Sequence, residues 1–245
     1  MIAHRGASAE LPENTLAAFR RALEVGVDGI ELDVHTTADG VPVVFHDATL
    51  RRLTGGPGRV SRKTFAELRL LRVAGTDERI PTLREVLALV RSRGRGRVVV
   101  QIELKRGVAV APVVAAVRAA RATKSVILAS FELPLVAEAA RLAPRIPRMV
   151  ISEGRGSPVT LGRQLAAVGA VGLSVNHAAV RDRALVDAIR GPVRAGSCRR
   201  FTLWTWTVNN PARMRELAKL GVDAILTDDP ALLRKTLSAR WGGYP

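Results

Sequence analysis

The chain's 245 residues are 47% hydrophobic and carry 38 basic against 22 acidic side chains, a formal net charge of +16. That length suits one α/β domain or barrel, the apolar fraction excludes disorder, and the single cysteine, Cys198, excludes a disulfide framework or multi-thiolate zinc site. The charge should attract phosphorylated solutes and, weakly, anionic membrane surfaces, but 4% aromatic content offers bases little to stack on, so no specific nucleic-acid partner is expected.

From the N-terminus, the first strand-like run is Ile2–Arg5. It starts too early to leave room for a secretory leader, and no later run approaches the ~18 apolar residues of a membrane helix, so a cytoplasmic protein is expected. A helix follows over Asn14–Val25 with Asn14 as its N-cap, then a strand over Gly29–Val34. Further strands are expected at Val98–Leu104, Ser125–Ser130, Arg148–Ser152, Val171–Val175, Phe201–Thr207 and Asp223–Thr227. Between and after them the period becomes helical, at Leu83–Arg93, Val110–Ala122, Leu133–Leu142, Thr160–Val168, Asp182–Arg190, Pro211–Leu220 and Pro230–Ser238. Pro211 and Pro230 sit behind Asn210 and Asp229, as first-turn prolines behind caps. Eight strands alternating with eight helices is the count of a TIM-type (β/α)8 barrel; an open doubly wound sheet is the competitor.

One run exceeds that count. Pro42–His46 is strand-like and is reached through Asp39-Gly40, a tight hairpin signal. It predicts a small antiparallel excursion after the second strand, set within residues 35–97, with a loop at Gly55–Gly58 and an extra helix over Arg62–Arg72. The excursion should lie over one barrel mouth, leaving 1–245 as a single domain. Nothing in the sequence speaks to oligomeric state.

Barrel enzymes place their chemistry where strands end. That rule selects His4 and Arg5, Glu31 and Asp33, Glu103 and Lys105, and the region of Trp206. Alternation puts Glu31 and Asp33 on one face, and Glu103 and Lys105 likewise. Spacing leaves two arrangements open. Glu31, Asp33 and Glu103 could share a hard divalent ion, Ca²⁺ or Mg²⁺, or Glu31 and Glu103 could pair with Arg5 and Lys105 as interior ion pairs. With a divalent ion present, the three carboxylates, Arg5 and Lys105 leave one positive charge, which a phosphodiester monoanion would neutralise. His4 and His46 flank the cluster and would bracket a substrate, while His35 and His177 are read as structural.

His4-Arg5-Gly6, Pro12-Glu13-Asn14-Thr15, Gly29-Ile30-Glu31-Leu32-Asp33-Val34, Asp39-Gly40, Pro42–Asp47, Glu103-Leu104-Lys105, Trp206–Asn209 and Thr227-Asp228-Asp229-Pro230 keep their order along the chain. Together they resemble the signature of the glycerophosphodiester phosphodiesterase family. The resemblance implies a TIM-type barrel that hydrolyses small-molecule glycerophosphodiesters to sn-glycerol 3-phosphate and an alcohol. It implies His4 and His46 as general acid/base pair, Glu31, Asp33 and Glu103 as ligands of one divalent metal, and Arg5 and Lys105 as phosphate contacts. It further implies attack by the glycerol 2-hydroxyl through a cyclic phosphate. Trp206 is expected to wall the substrate or to pack at the mouth, with Trp204 lower in the barrel. A lysophospholipase D-like enzyme at lipid surfaces and a non-catalytic phosphate-ligand binding protein are the competing readings.

Overall fold

Short runs of branched apolar residues build nine strands among the residues that the structure, a computed structural model, describes: 1–94, 96–191 and 201–238. Cys198 lies outside the described residues. The strands are β1 (Ile2–His4), β2 (Gly29–Thr36), β3 (Pro42–Val44), β4 (Val99–Leu104), β5 (Val126–Ser130), β6 (Arg148–Ser152), β7 (Gly172–Asn176), β8 (Thr202–Trp206) and β9 (Ala224–Thr227). All except β3 pair in parallel in the order β1-β9-β8-β7-β6-β5-β4-β2. Pairing of β1 with β2 as well as β9 closes the ring, which excludes the open sheet and gives the expected TIM-type barrel.

Each crossover returns through a helix on the outside. These ring helices are α1 (Leu16–Val25), α4 (Leu83–Arg93), α5 (Val110–Ala119), α6 (Leu133–Leu142), α7 (Pro158–Ala167), α8 (Arg183–Arg190), α9 (Pro211–Leu220) and α10 (Pro230–Ser238). Their apolar stripes pack on the outward strand residues: Phe19 and Val86 lie with Ile30 and Ile102, and Leu165 and Met214 with Leu173 and Leu203. The inward residues form a separate apolar cluster that includes Met149, Ile151, Trp204, Ala224 and Leu226, with Trp204 one inward position below Trp206 on β8, as expected.

The local signals mostly hold. Asn210 caps α9, and Asp229 accepts from the Leu232 amide at the start of α10. Asn14 does not cap α1. Thr15 is the N-cap, and Asn14 adopts a left-handed φ of 60° with its side chain drawn to Asp33. The Asn14 side chain is thus engaged by β2, its Nδ2 donating to the Asp33 carboxylate and its Oδ1 accepting from the Asp33 backbone amide at 3.4 Å, so the acceptor a cap needs is taken.

The excursion over the mouth occupies part of the 35–97 stretch. β2 runs on to Thr36 because β3 pairs antiparallel with its end, Val34 opposite Val44. The helix expected over Arg62–Arg72 is present but shorter, as α3 (Phe65–Arg69), behind a 3-10 turn at Val60–Arg62, and a further short helix, α2 (Arg51–Thr54), precedes the expected loop at Gly55–Gly58. The Thr64–Glu67 capping box starts α3 late. Val43, Phe45, Leu50, Val60, Leu68, Val73 and Ile80 form a small core for this segment alone. No helix among the described residues is long and apolar enough to cross a membrane.

Candidate active site

The inward positions at the C-terminal strand ends carry the chemistry. Glu31 and Asp33 on β2, and Glu103 on β4, each offer an oxygen within 4.8 Å of the others. The register forces this meeting, since Asp33 sits opposite Glu103. Asp33 is wholly buried and Glu31 nearly so.

Compensation within the cluster is uneven. Lys105 Nζ reaches Glu103 Oε1 at 2.6 Å and Asp33 Oδ1 at 3.2 Å. Asn14 Nδ2 donates to Asp33 Oδ2 at 2.8 Å, and Arg5 Nε lies 3.1 Å from the same oxygen at an angle too oblique for a hydrogen bond. Burial alone would raise Asp33, but Lys105 and Arg5 outweigh it and hold the carboxyl well below its ordinary value. Glu31 differs. The Arg5 backbone amide donates to it at 3.2 Å, but the Arg5 guanidinium pairs instead with Glu13 at 3.0 Å. Burial, followed by Asp33 and Glu103, pushes Glu31 well above the usual range, and burial with Asp33 pushes Glu103 to about 7. Of the two interior ion pairs weighed from spacing, the structure has Glu103–Lys105 and lacks Glu31–Arg5. Three converging carboxylates with too little compensation fit a hard divalent cation.

The two histidines enter from different elements with matching support. His4, at the end of β1, has Nδ1 2.7 Å from Asp228 Oδ1 and Nε2 3.9 Å from Glu31. His46, just past β3, has Nδ1 2.7 Å from Asp47 Oδ1. Each carboxylate accepts from Nδ1–H, which leaves Nε2 free for proton transfer. His46 is lowered by burial, with Lys105 and Arg5 adding to it against Asp33 and Asp47. His35 is structural, with Nε2 3.1 Å from the His46 carbonyl oxygen, and His177 lies against Arg213.

The loop that carries Arg5 is tightly specified. Arg5 itself has φ 57°, and the Asn14 amide donates to its carbonyl at 3.0 Å. Gly6 follows with φ 85°, where a Cβ would come within 2.7 Å of the Ala18 backbone. The close seat of α1 on this loop therefore requires glycine.

One pocket of about 250 Å³ takes in His4, Arg5, Glu31, His46, Glu103, Lys105 and Trp206. The fold thus brings together every site residue selected from the sequence; Asp33 does not line the pocket but joins the group through Glu31, Glu103, Lys105 and Arg5. Trp206 packs edge to face on Phe131, with ring centroids 5.7 Å apart, so it both walls the pocket and packs at the mouth.

Several partners were not assigned from sequence. Asp228, Asp47, Glu13, Asn14, Asn209 and Arg52 support the site: Asn209 Nδ2 donates to Asp228 Oδ2 at 2.6 Å, and Arg52 bridges Glu13 at 2.8 Å and Asp47 at 2.7 Å. Most of them stand inside the quoted motif runs, which was the available signal. The simple count that left one positive charge for a phosphodiester omits these neighbours: Glu13, Asp47 and Asp228, with Arg52 against them, border the same groups.

Residues 4–232 match the sequence profile of the glycerophosphoryl diester phosphodiesterase family. A glycerophosphodiester phosphodiesterase of Caldanaerobacter subterraneus subsp. tengcongensis is 35% identical over 247 residues, covering 95% of each chain. The crystal structure of a glycerophosphodiester phosphodiesterase from Agrobacterium tumefaciens superposes with a TM-score of 0.80 at 32% identity, covering 96% of this chain and 98% of that one. An Oleispira antarctica phosphodiesterase, solved in complex with the product sn-glycerol-3-phosphate, gives 0.84 at 26% identity, covering 97% and 96%.

Proposed function

The chain belongs to the glycerophosphoryl diester phosphodiesterase family, and from that premise we propose that it hydrolyses glycerophosphodiesters to sn-glycerol 3-phosphate and an alcohol by metal-dependent histidine acid/base catalysis, with 1–245 as one catalytic domain. The observation that carries the reading is the pocket in which two carboxylate-held histidines face a cation pair and three converging carboxylates. Glu31, Asp33 and Glu103 would hold Ca²⁺ or Mg²⁺, their all-oxygen set suiting a hard ion. Such an ion supplies positive charge against the phosphoryl oxygens.

His4 takes the proton of the glycerol 2-hydroxyl as that oxygen bonds to phosphorus. The bond from phosphorus to the leaving oxygen breaks, and His46 gives that oxygen a proton. Water then opens the cyclic phosphate with the two roles reversed. His4 is the deeper of the two, at 15% side-chain exposure against 31% for His46, which favours His46 for an alcohol departing through the mouth. A bound phosphoryl anion would oppose the push of Lys105 and Arg5 on His46 and so favour its protonated form. Arg5 and Lys105 hold the phosphoryl oxygens, and Trp206 covers an apolar face of the substrate.

His4→Ala and His46→Ala should each lower turnover on the order of 10²–10⁴. On a p-nitrophenyl diester, whose leaving group needs no proton, His46→Ala should recover substantially and His4→Ala should not. Equal behaviour of the two variants would contradict this division of roles. The lysophospholipase-like reading, which needs a path for an acyl chain, has no support in the pocket described.

A further inference from the structure

We propose that Gln101 and Ser174 form a polar floor to this pocket that hydrogen-bonds the terminal hydroxyl of the substrate's glycerol, and thereby selects deacylated diesters over those acylated at that carbon. The proposal rests on the hydrolase reading above and names the part of the substrate that the barrel interior recognises.

Gln101 lies on β4 two residues below Glu103 and opposite Glu31, so its side chain shares their inward face. Ser174 lies on β7 opposite Trp204. Both are 1% exposed and both line the pocket. Neither has a partner among the described residues: Gln101 Oε1 and Nε2 and Ser174 Oγ make no hydrogen bond there, and the buried Trp206 Nε1 is likewise unpaired. Buried side-chain amides and hydroxyls are nearly always satisfied, so unpaired groups lining one pocket point to a hydroxyl-bearing occupant. Between them stand Ile151 and Leu226, which suit the C–H faces of a short carbon chain.

The order of groups along the pocket sets the orientation. Arg5, Lys105 and the histidines hold the phosphoryl end at the strand termini, so the attacking 2-hydroxyl lies beside His4. The terminal carbon of the glycerol then extends one layer down, to Gln101 and Ser174. Beside these groups Met149 and Trp204, the latter opposite Ser174 on β8, complete the floor with apolar surface. An acyl ester at the terminal oxygen would lose the donor hydrogen and bring a chain that the closed floor cannot pass.

The test compares kcat/KM of the metal-loaded wild-type protein on glycerophosphocholine and on 2-hydroxypropyl phosphocholine, which keeps the hydroxyl beside phosphorus and lacks the terminal one. The second substrate should be poorer by about ten- to a hundredfold, because it leaves the floor unpaired. Lysophosphatidylcholine should be no better than the deoxy substrate. Gln101→Leu and Ser174→Ala, checked for folding by circular dichroism, should shrink the ratio by slowing glycerophosphocholine while sparing the deoxy substrate. Equal kcat/KM for the two substrates in the wild type, a comparison that needs no variant, would show a floor that holds only water and would overturn the proposal. So would an unchanged ratio in a folded Gln101→Leu protein. Failure to turn over glycerophosphocholine with any metal would overturn the hydrolase reading, and the role of the floor with it.

Discussion

Asp228 holds the Nδ1 of His4 across 224 residues of sequence, and that contact fixes which ring nitrogen faces the pocket. Asp228→Asn keeps the shape but removes the obligatory acceptor, so turnover should fall on the order of 10² or more while the fold persists. The carboxyl is held at about 2, because the bond and charge of His4, helped by Asn209 and Ser8, outweigh the burial that would raise it. A depressed carboxylate contributes stability above its unfolded value of about 3.9, and that contribution is lost as pH falls toward the folded value. Thermal midpoints of wild type and Asp228→Asn should therefore differ at pH 6 and converge as pH drops from about 4 to 2. A gap that stays constant over that window would contradict the depressed carboxyl of Asp228. The strand-end rule exposed His4, Glu31, Asp33 and Glu103 because each lies at or beside a recognisable strand end. Asp228 and Asp47 stood in visible motif runs, but their pairing with histidines depends on barrel closure and loop path, which local pattern does not encode. Asn14 went astray for a related reason: capping propensity is local, and its partner Asp33 is on another element.

Among the elements, the excursion is the one with a core of its own, and it carries His46 and Asp47. Arg52 on α2 ties Asp47 to Glu13, the partner of Arg5, so the excursion and the β1 loop are linked through one guanidinium. That bridge is half exposed and contributes little to global stability, but it orders both sides of the site. Leu68 in this core and Leu165 on the buried face of α7 are both fully buried. Substituting either by Ala should cost about 2–5 kcal/mol. Only Leu68→Ala should also lower kcat at a temperature where circular dichroism shows both variants folded, because the opening it promotes is local to the excursion. Equal activity of the two variants would contradict that coupling. The barrel strands and helices were legible because each buries one continuous apolar face. The excursion was less so: its hairpin, the loop at Gly55–Gly58 and part of a helix were visible, but its helices are too short for a periodic stripe, and Ala74 (φ 50°) and Gly75 (φ 71°) turn the chain just beyond the short α3.

At the scale of the molecule, closure through β1 brings the first and last strands side by side, and with them His4 and Asp228. The alternation of runs made the barrel readable, whereas the depth and lining of its pocket required the closed ring. Around this site the +16 charge makes a field favourable to anionic substrates. Raising salt from about 0.01 M to about 0.1 M, which shortens screening from about 30 to about 10 Å, should raise KM for a glycerophosphodiester more than it changes kcat. A KM indifferent to salt would show that the surface charge plays no part in capture. The central claim concerns the cluster of Glu31, Asp33 and Glu103, and its most direct test is release of sn-glycerol 3-phosphate from glycerophosphocholine by the purified chain, with and without a chelator. Turnover should vanish in excess chelator and return with Ca²⁺ or Mg²⁺, but not in Glu31→Gln or Glu103→Gln; full turnover in excess chelator would contradict the account.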